Sequence, residues 1–548
     1  VTLLRVREAG DAAVFVELGE TIDPDVNARV LAAADGLRAA ALPGVRDVVP
    51  TYRSVAVFFD PLQIEPESIV ELVTRAAGEA PRPRPAATVE IPVEYGGDAG
   101  PDLDELAAAS GLSPADVVAR HTAREYRVFM VGFLPGFAYL GSVDETIAAS
   151  RRPSPRLRVP AGSVGIAGRQ TGVYPRTSPG GWQIIGRTTT RPFVADRLPP
   201  ALMAAGDTVR FVAAPPGTLE SFDDVWTPAP SATAPPPRSG RSLTIVQPGL
   251  LTTVQDAGRW GHQHAGVPVS GALDLASLAA ANRCVGNAPG TAAIEATLPG
   301  LEVRADVALR IGLAGADLGA ELDGRAVSAT GALACGAGQV LRFTRRGSGA
   351  RAYVAIAGGV DSVPVLGSRA TDLSSGLGGL AGARLRAGDV VPVGPPHGTG
   401  EMASRAEPAP QALPRVPRGG ARVRVMPGPH GEWFPPEALT ALARERFAIT
   451  PDSNRMGYRL RAGAPLPRRP GELISDATCA GALQVTPSGE PILLMADRQV
   501  TGGYPIIATV ITADLGIAGQ LAPGDWIEFE PCTRADALRA LAALRAGA

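Results

Sequence analysis

The chain has no lysine, and all 52 of its Lys/Arg positions are arginine. That absence excludes a P-loop lysine, a Schiff-base lysine and a biotinylated carrier lysine. Any phosphate or carboxylate must be held by arginine, by backbone N–H groups or by helix N-termini. Cysteine is scarce too: Cys284, Cys335, Cys479 and Cys532 lie far apart, which predicts reduced, structural thiols rather than a disulfide framework. Charge of one sign is lacking. The net charge is −2 with no large acidic or basic block, so neither nucleic acid nor a membrane surface is an expected partner. No apolar run approaches the roughly 20 residues that span a bilayer, and the first residues do not read as a signal peptide. The expected location is the cytoplasm.

What the chain has in abundance is glycine (65) and proline (52), spaced between short Val/Ile/Leu runs. That pattern predicts many short strands joined by tight turns. At 548 residues the chain is too long for one core, and roughly three to five domains are expected. Residues 1–80 read as a small α/β unit, with a strand over 12–18, a helix over 23–42 carrying Pro24 early, two strands within 45–59 and a helix over 66–78. Pro81–Pro85 is a stiff linker. Residues 86–227 are mainly β, with a helix over 113–121. A second linker covers 228–242, a β-rich unit 243–394, a third linker 395–420, a further β-rich unit 421–532, and an Ala/Leu/Arg helix closes the chain at 533–548.

Two distant stretches repeat a phrase. Gly168-Arg169-Gln170-Thr171-Gly172-Val173-Tyr174-Pro175 is answered by Asp497-Arg498-Gln499-Val500-Thr501-Gly502-Gly503-Tyr504-Pro505. Downstream, Gly206-Asp207 before an apolar run is answered by Gly524-Asp525 and again by Gly388-Asp389. Internal similarity at such spacing predicts a β-rich module used more than once, hence a set of related barrels.

The chemistry-bearing stretches are few. Gly132–Leu140 sets two glycines and a proline among Phe133, Phe137 and Tyr139, a turning loop that presents rings either to a pocket or to the core. Arg156, Arg158, Ser163 and Gln170 follow, then the permissive turn Ser178-Pro179-Gly180-Gly181-Trp182. His262 and His264 form a His-x-His pair with no third ligand in view, so no metal is expected. Asp274 sits where a helix cap belongs. Ser453–Arg459 sets Arg455 and Arg459 beside a glycine turn, either an anion clamp or a solvated loop. No Ser-His-Asp pattern, cysteine cluster or dinucleotide glycine motif is present.

Gly132–Leu140, Val159–Gly168 and Ser178–Arg187 resemble the B subunit of bacterial ATP-dependent 5-oxoprolinase, the KipI type, also known as allophanate hydrolase subunit 1. Val246–Gly249, Gln255–Arg259, Ser270–Asp274, Gly358–Val360, Leu366–Arg369, Asn454–Arg459 and Ala496–Pro505 resemble the C subunit, the KipA type, or allophanate hydrolase subunit 2. The pair is also similar to the carboxyltransferase region of urea carboxylase. The chain departs from the family pattern at Ile506, where a basic residue is common, and at Asn454, where an aspartate is common. The resemblance implies a B–C fusion of α+β, mainly β class. It would comprise the small N-terminal α/β domain followed by three cyclophilin-like β-barrel domains, with the repeated Arg-Gln phrases on equivalent edges of two of them.

For function the resemblance implies an enzyme component that uses ATP with Mg to activate the carbonyl of a small lactam, which then opens to glutamate with a separate A subunit. A second implied reading is transfer of a carboxylate from carboxybiotin, supplied by a biotin carboxylase and carrier partner, to a urea-like amide. A third is regulation of a sensor kinase. No cofactor would be covalently attached, and whether the chain forms a homo-oligomer is left open. Arg169, Gln170, Asp497, Arg498 and Gln499 are the candidate catalytic groups. Phe133, Gly136, Phe137, Tyr139, Arg158, Ser163, Gly180, Gly181, Arg455, Arg459, Gly502, Gly503 and Tyr504 are the candidate binding groups.

Overall fold

A computed structural model describes residues 5–78, 87–219, 239–396, 416–471 and 473–547. The expected linker at 81–85, and most of those at 228–242 and 395–420, lie outside the described residues. No helix among the described residues is long and apolar enough to cross a membrane.

The first unit is a four-stranded sheet under two helices. Asp23 caps the helix Pro24–Ala40 by accepting from the Asp25 and Val26 N–H groups, and Pro24 occupies its first turn. The second helix is Pro66–Gly78. The strands run Arg5–Glu8, Ala13–Glu17, Ser54–Phe59, Val45–Pro50 across the sheet, each pair antiparallel. The unit expected as α/β is built on a sheet whose neighbours are all antiparallel, hence α+β: the helix Pro24–Ala40 does cross between two parallel strands, Ala13–Glu17 and Val45–Pro50, but Ser54–Phe59 lies between them. Strand alternation gives the sheet two buried faces. Val14, Val16, Val55 and Val57 pack under the helices, while Ala13, Phe15, Ala56 and Phe58 point away from them.

Residues 88–213 form a closed seven-stranded barrel. Its ring order is Gln170–Val173, Ala138–Gly141, Glu125–Val131, Thr208–Ala213, Thr88–Tyr95, Gln183–Arg187, Ser163–Ala167. Residues 420–531 close a second ring: Pro491–Leu494, Gly457–Arg461, Phe447–Ile449, Trp526–Pro531, Gly420–Pro427, Ile506–Val510, Ala482–Val485. The two rings have the same topology. In each, the first and last strands in sequence run parallel and the other neighbours run antiparallel. Each also carries a two-stranded flap outside the ring, Arg156–Val159 with Ser178–Gly180 in one and Asp476–Ala477 with Thr501–Gly502 in the other.

This correspondence corrects the reading of the repeat. The flap turn Gly180-Gly181-Trp182 answers to Gly502-Gly503-Tyr504, so the phrase at 168–175 is out of step with the one at 497–505. Gln170 opens a ring strand, whereas Arg498 and Gln499 precede a flap.

The unit between 242 and 392 is not a third closed barrel. A six-stranded sheet and a five-stranded sheet face each other. Leu243, Ile245, Val303 and Leu341 of one pack against Val254, Ile294, Ile311 and Val354 of the other. Its Gly388-Asp389 turn leads into Val390–Pro392, which pairs antiparallel with Ser242–Pro248, so the parallel closing pair of the two rings is missing.

The first sheet's outer face is covered by the last barrel. Phe15, Val49, Ala56 and Phe58 join Ala477, Cys479, Val500 and Ile506 in one apolar cluster. Polar contacts reinforce this junction: the Ser54 hydroxyl donates to Asp476 Oδ1 at 2.7 Å, and Asp47 Oδ2 accepts from the Gly261 and Gln263 N–H groups at 3.0 and 3.1 Å. The N-terminal unit therefore straps the two halves together. Ile506, one departure from the family pattern, is a core residue of this junction.

Candidate active-site cleft between the two barrels

The loop Gly132–Phe137 reaches from the first barrel to the flap of the second. The Phe133 N–H donates to Thr501 Oγ1 at 2.8 Å, and the Tyr139 hydroxyl lies 3.3 Å from the same oxygen. Phe133 adopts φ +60°, a left-handed conformation that a side chain rarely takes, and the Thr501 bond helps to hold it there. A Cβ at Gly132 would stand 2.2 Å from Thr501 Oγ1, so only glycine permits this approach. We expect Gly132→Ala to lower the unfolding free energy by about 1–3 kcal/mol through overpacking, read as a shift of the urea midpoint.

Between the barrels lies a cleft of about 680 Å³. Its first-barrel wall is aromatic. Phe137 meets Phe133, Tyr139, Tyr174 and Trp182 edge-to-face, with centroids 5.3, 5.0, 5.4 and 5.4 Å away. Such pairs lock one another's rotamers and leave a rigid floor for a flat ligand. Burial pushes the phenols of Tyr139 and Tyr174 above the usual range, so both remain hydrogen-bond donors. The flaps form the rims, with Gly180 and Gly181 on one side and Gly502, Gly503 and Tyr504 on the other.

The second-barrel wall is polar. Gln484 donates to the Tyr504 carbonyl at 3.4 Å, and the Gln499, Ser475 and Asn454 side chains also line the cleft. Asn454, the other family departure, uses its Oδ1 to accept from the Met456 N–H. Four arginines, Arg151, Arg152, Arg459 and Arg468, stand around the cleft against one carboxylate, Asp452, among the described lining residues. Arg152 shares the buried Asp102 with Arg156, and Arg468 donates to the carbonyls of Val485 and Gly471. Arg151 and Arg459 are exposed and form no ion pair among the described residues. The rim thus favours an anion.

Of the residues expected to act, Phe133, Phe137, Tyr139, Gly180, Gly181, Arg459, Gln499, Gly502, Gly503 and Tyr504 line this cleft. The others lie elsewhere. Gly136 is packed against Pro192 and Phe193, Arg158 is exposed on the flap strand, and Ser163 is buried in the ring. Arg169 is a surface residue 3.1 Å from Glu145, and Gln170 pairs in register with Ala167 and Gly141.

Arg455 and Asp497 are consumed by each other. Arg455 Nε donates to Asp497 Oδ2 at 2.9 Å, while its other nitrogens reach Glu295 and the Gly271 carbonyl. Arg498 faces away, donating to Gln263 Oε1 at 2.8 Å. Asp274 caps the helix Leu275–Arg283 by accepting from the Ser277 N–H. His262 precedes the short 3-10 turn Gln263–Ala265 and His264 lies within it, and no group of three His, Cys, Asp or Glu side chains suited to a metal occurs among the described residues. Sequence reasoning missed Tyr174, Trp182, Arg151, Arg152, Arg468 and Gln484 as site residues, although the two rings lie inside its glycine- and proline-rich turn stretches.

Comparison with known proteins agrees with this architecture. The description "Carboxyltransferase domain, subdomain C and D" matches residues 4–203, and "Carboxyltransferase domain, subdomain A and B" matches residues 265–531. The chain is 40% identical over 298 residues to the 5-oxoprolinase C subunit of Escherichia coli, covering 54% of this chain and 94% of that protein. It is 42% identical over 222 residues to the 5-oxoprolinase B subunit of Bacillus subtilis, covering 38% of this chain and 92% of the relative. The crystal structure of TTHA0988 superposes with a TM-score of 0.82 at 36% identity, over 96% of this chain and all of that one.

Proposed function

The chain belongs to the carboxyltransferase-domain family, with a half like the 5-oxoprolinase B subunit followed by a half like the C subunit, and from that premise we propose that it is the ATP-using component of a 5-oxoprolinase. The observation that carries the reading is the cleft itself: a rigid aromatic floor from one half faces polar groups from the other, under four arginines and one carboxylate. A five-membered lactam is flat enough to lie on the Phe133, Tyr174 and Trp182 faces. The hydroxyls and carboxamides around it, Tyr139, Gln484 and Gln499 among them, are the groups available to its amide edge.

In the reaction the lactam carbonyl oxygen attacks the γ-phosphorus of ATP, the bond from that phosphorus to the β,γ-bridging oxygen breaks, and ADP leaves. The O-phosphorylated lactam is then opened by water with a separate A subunit, releasing phosphate and glutamate. Negative charge must be held while the phosphoryl group moves. With no lysine in the chain, arginine is the side chain available for that task, and Arg151 and Arg459 are the two cleft arginines whose guanidinium groups form neither an ion pair nor a hydrogen bond among the described residues.

Release of glutamate and ADP from 5-oxoproline and ATP, measured with and without an A subunit, tests the reading. Release that needs both proteins is the expected result, and none from a folded, assembled pair overturns it. That failure would favour carboxyl transfer from carboxybiotin, the reaction after which the family is described. Arg459→Ala should raise the KM for ATP by about tenfold, the size of one charge-assisted hydrogen bond, without altering the fold. An unchanged KM removes Arg459 from the phosphate site.

A further inference from the structure

A second cavity, of about 190 Å³, lies where the N-terminal sheet, the sandwich and the last barrel meet. Its walls are mainly apolar, with Phe58, Val269, Leu273, Met495 and Ile517 among them. A cavity of about 150 Å³ holds a benzene ring, so this chamber has room for a body of about five or six carbons.

The chamber has one deeply buried cation. Arg498 lines it and does not line the inter-barrel cleft. The residue is 3% exposed, with its guanidinium carbon 5.9 Å from the centre of the Phe58 ring. Its Nε donates to the Thr478 carbonyl at 3.4 Å and its Nη2 to Gln263 Oε1 at 2.8 Å, both uncharged acceptors. Nη1 donates to no group among the described residues, yet it is not one of the nitrogens sealed off from accessible space. Its hydrogens therefore open on the chamber that Arg498 lines. The carboxylate that acts on this guanidinium, Asp47, is reached through Gln263, whose Nε2 lies 3.3 Å from Asp47 Oδ2.

The other charged groups of the chamber are engaged by the protein. Asp274 accepts from the Ser277 N–H and hydroxyl and from Gln520. Asp11 accepts from the Thr512 N–H and hydroxyl and stands beside Arg534. Arg46 is paired with Asp60 at 3.1 Å. Arg498 differs in being stripped of water without gaining an ion pair, which is costly in the empty chamber. An incoming carboxylate loses only its own hydration and gains a charge-assisted hydrogen bond in a medium of low dielectric. From this free guanidinium edge in an apolar chamber of this size we infer that the chamber binds a small apolar monocarboxylate, of the class of a six-carbon aliphatic acid. Arg498 Nη1 receives the carboxylate, and the aliphatic and aromatic walls take the hydrocarbon. The site is separate from the cleft, although Arg498 and Gln499 are neighbours in sequence, one lining each.

Calorimetric titration of the full chain with 4-methylpentanoate, its uncharged amide 4-methylpentanamide and acetate tests this. Saturable binding of 4-methylpentanoate is expected, with the amide at least about tenfold weaker for want of the charge. Acetate keeps the charge but lacks four carbons, and should be at least about a hundredfold weaker. Arg498→Gln should bring 4-methylpentanoate down to the level of the amide and leave the amide itself unchanged. Ala480→Leu, which narrows the chamber and leaves Arg498 in place, should abolish binding of both. That variant and the three-ligand comparison decide the matter even where Arg498→Gln does not fold. No binding of 4-methylpentanoate, equal binding of its amide, or binding indifferent to Ala480→Leu would overturn the assignment. Displacement by 5-oxoproline at equal affinity would overturn it too, because a polar lactam acid does not suit apolar walls. None of these outcomes depends on which reaction the cleft performs.

Discussion

Arg455→Met should lower the stability of the folded chain by about 3–5 kcal/mol, the largest effect expected of any single substitution here. Arg455 is 3% exposed and joins three elements that are distant in sequence: Glu295 in a sandwich strand, Gly271 in the loop before the capped helix, and Asp497 beyond the barrel strand Pro491–Leu494. Burial works against its charge, but Asp497 and Glu295 hold the guanidinium's pKa above its ordinary value. Removing it strands two carboxylates at depth. Glu295 would keep the Tyr353 hydroxyl at 2.8 Å and the Leu273 N–H at 3.0 Å, and Asp497 would keep the Ser270 hydroxyl at 2.6 Å, but neither would keep a counter-charge. Urea unfolding reads the loss. Neutralising the acids in the same background, with Glu295→Gln and Asp497→Asn, should restore part of it, because the penalty is an uncompensated charge rather than a cavity. A loss below about 1 kcal/mol in the single variant would mean that water reaches the cluster.

That cluster also shows why the arginines were the least readable part of the site. Whether an arginine is spent depends on acids contributed from elsewhere in the chain. Glu295 lies 160 positions from Arg455, and the Gln263 that engages Arg498 lies 235 positions away. Nothing local distinguishes Arg455, which is locked, from Arg459, which is free. The aromatic wall was easier to read, since Gly132, Pro135 and Gly136 force a turn wherever they occur and the rings between them must be presented somewhere. Their destination, a cleft facing another barrel, depends on the Thr501 contact and could not be read locally.

The same division holds for the fold. Asp207, Asp389 and Asp525 each accept from the N–H three residues earlier, those of Ala204, Arg386 and Ala522, so the repeated Gly-Asp turn is one local structure used three times. Yet the strand after it runs parallel to its partner in the two rings and antiparallel in the sandwich. Turn chemistry is set within four residues, whereas ring closure is set by pairing across a whole unit. A sandwich and a barrel therefore present the same alternation and the same turns, and the expectation of a third barrel failed on that ambiguity. The early helices were legible because Asp23, Pro24 and the apolar spacing all act locally.

One local contact ties the ring to the cleft and gives the chain an acid limit. His121 is fully buried, with Nδ1 2.7 Å from the Tyr95 hydroxyl and Nε2 2.9 Å from Thr171 Oγ1. The Thr171 hydroxyl donates onward to the Gly165 carbonyl at 3.0 Å, so it accepts from Nε2–H, and Nδ1 in turn accepts from Tyr95. Both ring nitrogens are used by the neutral form. Burial pushes the His121 pKa down to about 3, against about 6.5 in the unfolded chain. Below pH 6.5 the unfolded state therefore takes up a proton that the folded state refuses, and stability falls as pH falls, by about 1.4 kcal/mol per pH unit for this residue. His430, held near 4 by its own burial, adds a term of the same sign, whereas Asp497, raised to about 6 by burial, offsets it below that pH. Comparing the wild type with His121→Gln isolates the one histidine, because the other groups are common to both. The variant should be the less stable at pH 7.5, and its deficit should shrink by about 2–3 kcal/mol between pH 6.5 and 4.5. Parallel stability curves would mean that His121 titrates in the folded barrel. The strand Gln170–Val173 and the Tyr174 that follows it into the cleft would then be held by a charged ring rather than a neutral one.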